Sequence, residues 1–120
     1  MKVHFFSFTD GIKSTSYETE LNLLDNGYSF KDLSIENTTL EFRIINDGHV
    51  EMIRKGAINS KIDFILNDKT NSLYHSDSLT FEFDVDTKYI LIKEKSLTIE
   101  YDYYYKGDKI GKIKLGLLIK

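Results

Sequence analysis

A regular alternation of apolar and polar side chains is the feature that most constrains the fold of this chain. Residues 79–87 read Leu-Thr-Phe-Glu-Phe-Asp-Val-Asp-Thr, and the odd positions up to Val85 are apolar while the even positions are polar or charged. Successive side chains of a β-strand point to opposite faces, so the pattern predicts a strand with one buried and one solvated face. Because parallel strands are buried on both faces and do not alternate, the chain is predicted to be all-β and antiparallel.

The same alternation recurs along the chain and divides it into about ten short strands. Turn signals separate some of them, at Asp10-Gly11, Asn26-Gly27, Asp47-Gly48 and Lys106-Gly107-Asp108. The glycines at 27, 48 and 107 are predicted to take a positive φ or to lie beside a residue that does. The predicted strands cover residues 2–9, 14–24, 27–32, 38–46, 49–56, 59–67, 71–76, 79–86, 88–105 and 109–119.

Two segments leave alternatives open. Residues 17–24 could instead begin as a short helix that ends at Gly27, because their Glu and Leu residues suit a helix. The long segment 88–105 is predicted to bend near residues 93–96, where its alternation falters. The strands as a whole could close into an up-and-down barrel of about eight to ten strands, which removes sheet edges, or form a two-sheet sandwich, which leaves them to be protected.

Counting by twos along each strand predicts the buried face. This face is bulky and aromatic, and a barrel of about eight strands can either fill its interior with such side chains or hold one small ligand. The tyrosines at 101, 103 and 105 are predicted to belong to the core or the barrel lining. The predicted inward residues are Leu40, Phe42, Ile44, Ile62, Phe64, Leu66, Leu79, Phe81, Phe83, Val85, Leu97, Ile99, Tyr101, Tyr103, Tyr105, Ile113, Leu115, Leu117 and Ile119.

Composition and charge exclude several kinds of protein. At 120 residues the chain suits one domain, residues 1–120, with a sizeable core. It has no cysteine, and therefore no disulfide, thiolate zinc site or cysteine nucleophile. The net charge of −3 argues against a nucleic-acid or membrane-surface binder. Its first residues are too polar for a signal peptide and Leu115–Ile119 is too short to span a bilayer, so a cytoplasmic location is predicted.

No motif of catalysis or cofactor binding is present in the sequence. His4, His49 and His75 are scattered without metal-ligand spacing. There is no Gly-rich phosphate loop, no nucleophile elbow and no helix-borne histidine pair. We therefore predict no catalytic residue, no metal site and no cofactor, and we expect a protein that is not an enzyme.

Arg54 is a charged residue on the predicted apolar face. In the strand His49-Val50-Glu51-Met52-Ile53-Arg54, alternation places Arg54 on the same side as Val50 and Met52. A buried guanidinium stays charged and needs a partner. Arg54 is therefore predicted either to pair with a carboxylate or carbonyls at the end of the barrel, or to face a cavity and bind an anionic ligand group.

Short motifs around and after Arg54 resemble those of a known family. The segments Ile53-Arg54-Lys55-Gly56 and Leu73-Tyr74-His75-Ser76, with a strand that ends at Thr87, resemble the YwiB-like bacterial proteins of unknown function over residues 35–119. That family has an Arg-x-Gly, a Tyr-x-Thr and a strand-ending Thr, and this chain departs from it at Ser76 and lacks the glycine expected next. The resemblance implies a calycin-type, lipocalin-like barrel with a pocket, but no particular ligand or activity.

Two classes of function follow from this reasoning. One is a binding module for a small apolar or amphipathic ligand, which carries an anionic group if Arg54 binds it. The other is a structural or protein-interaction domain with a filled barrel and no ligand. The predicted ligand-binding residues are Arg54, Tyr74, Tyr101 and Tyr103. Pocket volume separates the two classes, because a ligand site encloses on the order of 300 Å³ or more, whereas a packed core has no voids much larger than a water molecule.

Overall fold

The computed structural model describes residues 1–120 as ten β-strands joined by short turns and one six-residue loop. It contains no helix long and apolar enough to cross a membrane. The strands are β1 Lys2–Thr9, β2 Ile12–Leu24, β3 Gly27–Lys31, β4 Thr38–Asn46, β5 His49–Gly56, β6 Ile58–Ile65, β7 Lys69–Ser76, β8 Thr80–Lys93, β9 Ser96–Tyr105 and β10 Asp108–Ile119.

The strands form one closed antiparallel barrel in which each strand pairs with its neighbours in sequence. The first and last strands close it, because β1 pairs with β10 from Val3↔Ile119 to Thr9↔Ile113 and also pairs with β2. No sheet edge is left to protect. The predicted up-and-down barrel is therefore confirmed, and it fits the calycin-like architecture implied by the family resemblance.

Strands β1, β4 and β5 have the predicted bounds, five other strands differ from the predicted bounds by at most two residues at either end, and the region of β8 and β9 differs more. Residues 17–24 belong to strand β2, so the alternative of a short helix there is wrong. The segment 88–105 is not one bent strand, because β8 continues through residue 87 to Lys93 and a tight turn at residues 94–95 leads into β9. The strand end expected at Thr87 is wrong, because β8 continues past this residue to Lys93, with a register shift between Thr87 and Tyr89.

Only some of the predicted glycine turns have positive φ angles. Lys106 and Gly107 have φ values of 50° and 86°, as the two central residues of a type I′ hairpin require. Gly27 and Gly48 do not have a positive φ, and neither do their neighbours, so the prediction is wrong for these two. Gly27 instead allows a close approach between strands, since a Cβ there would overlap the carbonyl oxygen of Phe42.

Side chains from nearly every strand form the core. Phe30 and Phe42 stack with ring centroids 6.2 Å apart, and Phe5 packs against both. Ten of the residues predicted to face inward are buried there: Leu40, Phe42, Ile62, Phe64, Val85, Leu97, Ile99, Tyr101, Leu115 and Leu117.

Other predicted inward residues are not enclosed. Leu66, Leu79 and Tyr105 are 37%, 52% and 39% exposed, so their predicted burial is wrong. They lie at or just beyond the ends of their strands, where the alternating pattern continues after the barrel wall has ended. Phe81 and Phe83 are only half-buried, although Val85 on the same strand is fully buried. The interior is therefore packed at one level and open at another.

We expect this difference to appear in stability measurements on two phenylalanine variants. Phe64→Ala removes a fully buried ring and should lower the free energy of unfolding by about 3–5 kcal/mol. Phe83→Ala removes a half-buried ring and should cost about 1–2 kcal/mol. Urea unfolding would measure both, with the exposed Glu82→Ala as the baseline. If both variants lost the same free energy of unfolding, the ring of Phe83 would be as fully packed in solution as that of Phe64, contrary to the structure.

Candidate functional site

One end of the barrel contains an apolar cavity that opens to solvent. Its volume is about 540 Å³, which is well within the range of small-molecule sites. Ten of its eleven lining residues are hydrophobic, and Arg54 is the one charged exception. The hydrophobic lining residues are Ile62, Tyr74, Leu79, Phe81, Phe83, Tyr101, Tyr103, Tyr105, Ile110 and Ile113.

Sheet register connects Arg54 to the aromatic part of the lining in one row around the barrel. Arg54 on β5 pairs with Ser60 on β6, Ser60 pairs with Tyr74 on β7, and Tyr74 pairs with Phe81 on β8. Directly paired residues of an antiparallel sheet share a face, so all four side chains point into the barrel. The arginine is thus continuous with the aromatic wall.

The aromatic wall is held together by ring contacts along β7, β8 and β9. Tyr74 and Phe81 stack with centroids 4.8 Å apart, and Phe81 meets Phe83 at 5.9 Å and Tyr105 edge-on at 6.1 Å. Deeper in the barrel, Tyr101 contacts the fully buried Phe64 at 4.9 Å. The cavity therefore ends on the packed core, with large rings on its sides and the exposed side chains of Leu79, Tyr105 and Ile110 at its mouth.

The positive charge of Arg54 is paired with a buried carboxylate. Its Nε donates a hydrogen bond to Oδ2 of Asp32 over 3.3 Å. Asp32 is the first residue of the loop between β3 and β4, and its side chain is 0% exposed, whereas that of Arg54 is 21% exposed. The loop that carries Asp32 and the hairpins at the cavity mouth all follow odd-numbered strands, so they lie at the same end of the barrel.

Asp32 is held in place by further donors. Its Oδ1 accepts hydrogen bonds from the Tyr17 hydroxyl at 3.0 Å, the Ser34 backbone N–H at 3.0 Å and the Ser34 hydroxyl at 2.5 Å. Every partner is a donor, which matches the ionised form of a carboxylate, an acceptor only. Burial and the negative charge of Asp32 raise the pKa of Tyr17 above its ordinary value, so Tyr17 keeps its proton for this bond.

The backbone at position 56 explains why the motif has a glycine two residues after Arg54. Its φ is 127°, a conformation that side chains rarely adopt, and a Cβ there would overlap the backbone carbonyl of Asn37. Gly56 pairs with Thr38 at the start of β4. The glycine therefore lets the end of β5 lie directly against the end of the loop that begins at Asp32.

Several hydrogen-bonding groups of the cavity are left without protein partners. Arg54 uses only Nε, so the N–H groups of its two terminal nitrogens make no hydrogen bond within the protein. Tyr17 is the one tyrosine whose hydroxyl makes such a bond, which leaves those of Tyr74, Tyr101 and Tyr103 free. The site can thus offer guanidinium and phenol donors to a polar group inside an otherwise apolar space.

The four residues predicted from the sequence to bind a ligand all line this one cavity. Arg54, Tyr74, Tyr101 and Tyr103 come from strands β5, β7 and β9. Asp32 was missed. Alternation offered a signal, because Tyr28, Phe30 and Asp32 share parity and Phe30 is a core residue. Asp32 therefore lies on the inner face of the sheet, as Arg54 does, and a carboxylate and a guanidinium on the same buried face are expected to pair.

Comparison with known proteins places the chain in a family. The model of a domain of unknown function, DUF1934, matches residues 25–117. The chain belongs to this family. No curated protein matches it. The crystal structure of the ywiB protein from Bacillus subtilis is similar in fold, with a TM-score of 0.64 and 15% sequence identity over 99% of this chain and 89% of that one. The resemblance to YwiB-like proteins is confirmed.

A double-mutant cycle should show that Arg54 and Asp32 act as a pair. Arg54→Met leaves a buried carboxylate without its cation, and Asp32→Asn leaves the guanidinium without its anion, so each change alone destabilises the fold. The double variant should be more stable than the sum of the single losses predicts, with a coupling energy of about 0.5–3 kcal/mol from urea unfolding. If the losses in the free energy of unfolding of the two single variants simply added up in the double variant, the contact between Arg54 and Asp32 would contribute nothing to stability.

Tyr101 should make the stability depend on alkaline pH. Burial raises its pKa from 10.0 to about 12. In that interval the unfolded chain has lost the phenolic proton while the folded protein retains it, so the free energy of unfolding falls as pH rises. The contribution is fully present below pH 10 and is lost as pH approaches 12.

Urea unfolding of Tyr101→Phe at a series of alkaline pH values would measure this contribution. The variant should lose stability less steeply than the wild type, because it has no phenol at this position to ionise. Tyr89→Phe, at an exposed position, is the matched control and should follow the wild-type curve. Parallel curves for wild type and Tyr101→Phe would contradict the prediction.

Proposed function

We propose that this protein is a non-enzymatic binding module for a small apolar or amphipathic molecule. The observation that carries the proposal is the open cavity of about 540 Å³, with ten hydrophobic lining residues and one arginine. Ligand sites are concave and mostly apolar, with a few polar groups that fix orientation. The ligand's apolar part would lie along the wall of Phe81, Phe83 and Tyr103, and its polar group would meet Arg54, Tyr74 and Tyr101.

Packing supports this proposal over a structural domain with a filled barrel. A core that served stability alone would leave no void much larger than a water molecule. Here Phe81 and Phe83 stay half-buried and Leu79 and Ile110 are 52% and 50% exposed, all around one opening. A contiguous exposed apolar surface with a charged group inside it is typical of a binding site.

Binding of N-phenylnaphthylamine, an uncharged fluorophore that brightens in apolar surroundings, tests the proposal. The wild type should bind it, and Ile110→Asp should weaken binding about tenfold or more, because a carboxylate at the mouth opposes an apolar guest. Leu23→Asp introduces the same charge at a side chain that is 61% exposed and outside the cavity lining, so it should bind like the wild type.

Native mass spectrometry of the protein purified from its own host should reveal a non-covalently bound small molecule. A wild type that neither carries such a molecule nor binds the fluorophore would leave a structural or protein-interaction role as the better explanation. The cytoplasmic location and the absence of nucleic-acid and membrane partners stay predictions from the sequence.

A further inference from the structure

We infer that the polar group of the ligand is an uncharged hydrogen-bond acceptor, such as an amide, ester or ketone carbonyl, and that Asp32 sets this preference. The inference rests on the proposed function and specifies the chemistry of its ligand. Of the two predicted roles of Arg54, it favours pairing with a carboxylate over binding an anionic ligand group. The argument comes from the charges that face Arg54.

The first step is charge balance. Arg54 is the only cation in the cavity lining, and its charge is matched by Asp32, the nearest anion at 3.3 Å. Asp32 is fully buried and is fixed by Tyr17 and Ser34 as well, so it cannot turn away to expose a free guanidinium. The pair is neutral before any ligand arrives. An incoming carboxylate would bring an unmatched negative charge to a site that already holds one.

The second step is the energy of desolvation. Moving an ionised carboxylate from water into protein costs several kcal/mol even after relaxation, and a guanidinium already paired with Asp32, together with neutral phenols, offsets only part of that cost. A neutral carbonyl costs about 1–3 kcal/mol to bury without a partner. The carbonyl oxygen can accept hydrogen bonds from the same terminal N–H groups of Arg54 as a carboxylate can. Because the carbonyl costs less to remove from water, the site favours the neutral group.

The third step is the chemistry of the donors. The free groups in the cavity are the terminal N–H groups of Arg54 and the hydroxyls of Tyr74, Tyr101 and Tyr103, all of which can donate. Burial raises the pKa of Tyr101 to about 12, so its hydroxyl is a neutral donor at physiological pH. A carbonyl oxygen has two lone pairs and can accept from an arginine and a tyrosine together. A ligand cation would find no acceptor among the charged lining groups.

Competition between two isosteric probes tests this inference. Decanoate and decanamide have the same chain and shape and differ in charge, and each would displace N-phenylnaphthylamine from the wild type at neutral pH. We expect decanamide to bind about tenfold or more tightly than decanoate. Equal binding, or tighter binding of decanoate, would overturn the inference while leaving the proposed binding function standing. If the fluorophore itself did not bind, both the proposed binding function and this inference would be contradicted.

An Asp32→Asn variant tests the role assigned to the carboxylate. Asparagine keeps a similar shape and removes the charge, so the guanidinium becomes uncompensated and the affinity ratio should shift about tenfold or more toward decanoate. Glu36→Gln changes the net charge equally at an exposed position of the same loop and should leave the ratio unchanged. An identical ratio in Asp32→Asn and Glu36→Gln would overturn the assignment. If Asp32→Asn does not fold, the comparison of probes on the wild type decides alone.

Discussion

Closure of the sheet between β1 and β10 is the constraint on which the rest of the structure depends. It leaves the sheet without a terminal strand, and it also fixes the size of the interior. The diameter of a barrel grows with its strand number, and about eight strands already enclose all that side chains can fill. Ten strands enclose more. Beside β1, β3 and β4 the chain fills the interior with the aromatic cluster around Phe30 and Phe42, and beside β7, β8 and β9 it leaves the cavity open.

The Arg54–Asp32 pair stands at the boundary between these two regions. Leu40, the residue opposite Arg54 on β4, is fully buried, while Ser60 and Tyr74 on the other side lead into the cavity wall. Because Asp32 is buried with all its partners in place, the loop after β3 is fixed against the end of β5. The pair therefore supports the rim of the barrel and at the same time supplies polar groups to the cavity.

Much of the architecture was predictable because alternation is a local property. Alternation alone placed four aromatic residues on the inner face, namely Phe81, Phe83, Tyr101 and Tyr103. It also identified Arg54 as a charged residue on that apolar face. The degree of burial of each inward-facing side chain was not predictable. Alternation shows which face of the sheet a side chain is on, but not whether another part of the chain covers it. Leu79 and Tyr105 are exposed because β8 begins just after Leu79 and β9 ends at Tyr105. The pairing of Arg54 with Asp32 joins residues far apart in sequence, so only the register of β3, β4 and β5 brings them together.

The open end has a thermodynamic consequence for how such a barrel works. Apolar surface left in contact with water forgoes about 25 cal/mol for each Å² that a filled core would have buried. Larger side chains at Ile62 or Ile113 could recover part of that stability, yet the lining leaves the space free. A molecule that binds only the folded state would offset this loss by an amount that grows with the logarithm of its concentration, about 2.7 kcal/mol at a hundred times its dissociation constant. A ligand bound as proposed would thus couple its own concentration to the stability of the barrel, and its contacts with the aromatic wall would set its dissociation constant.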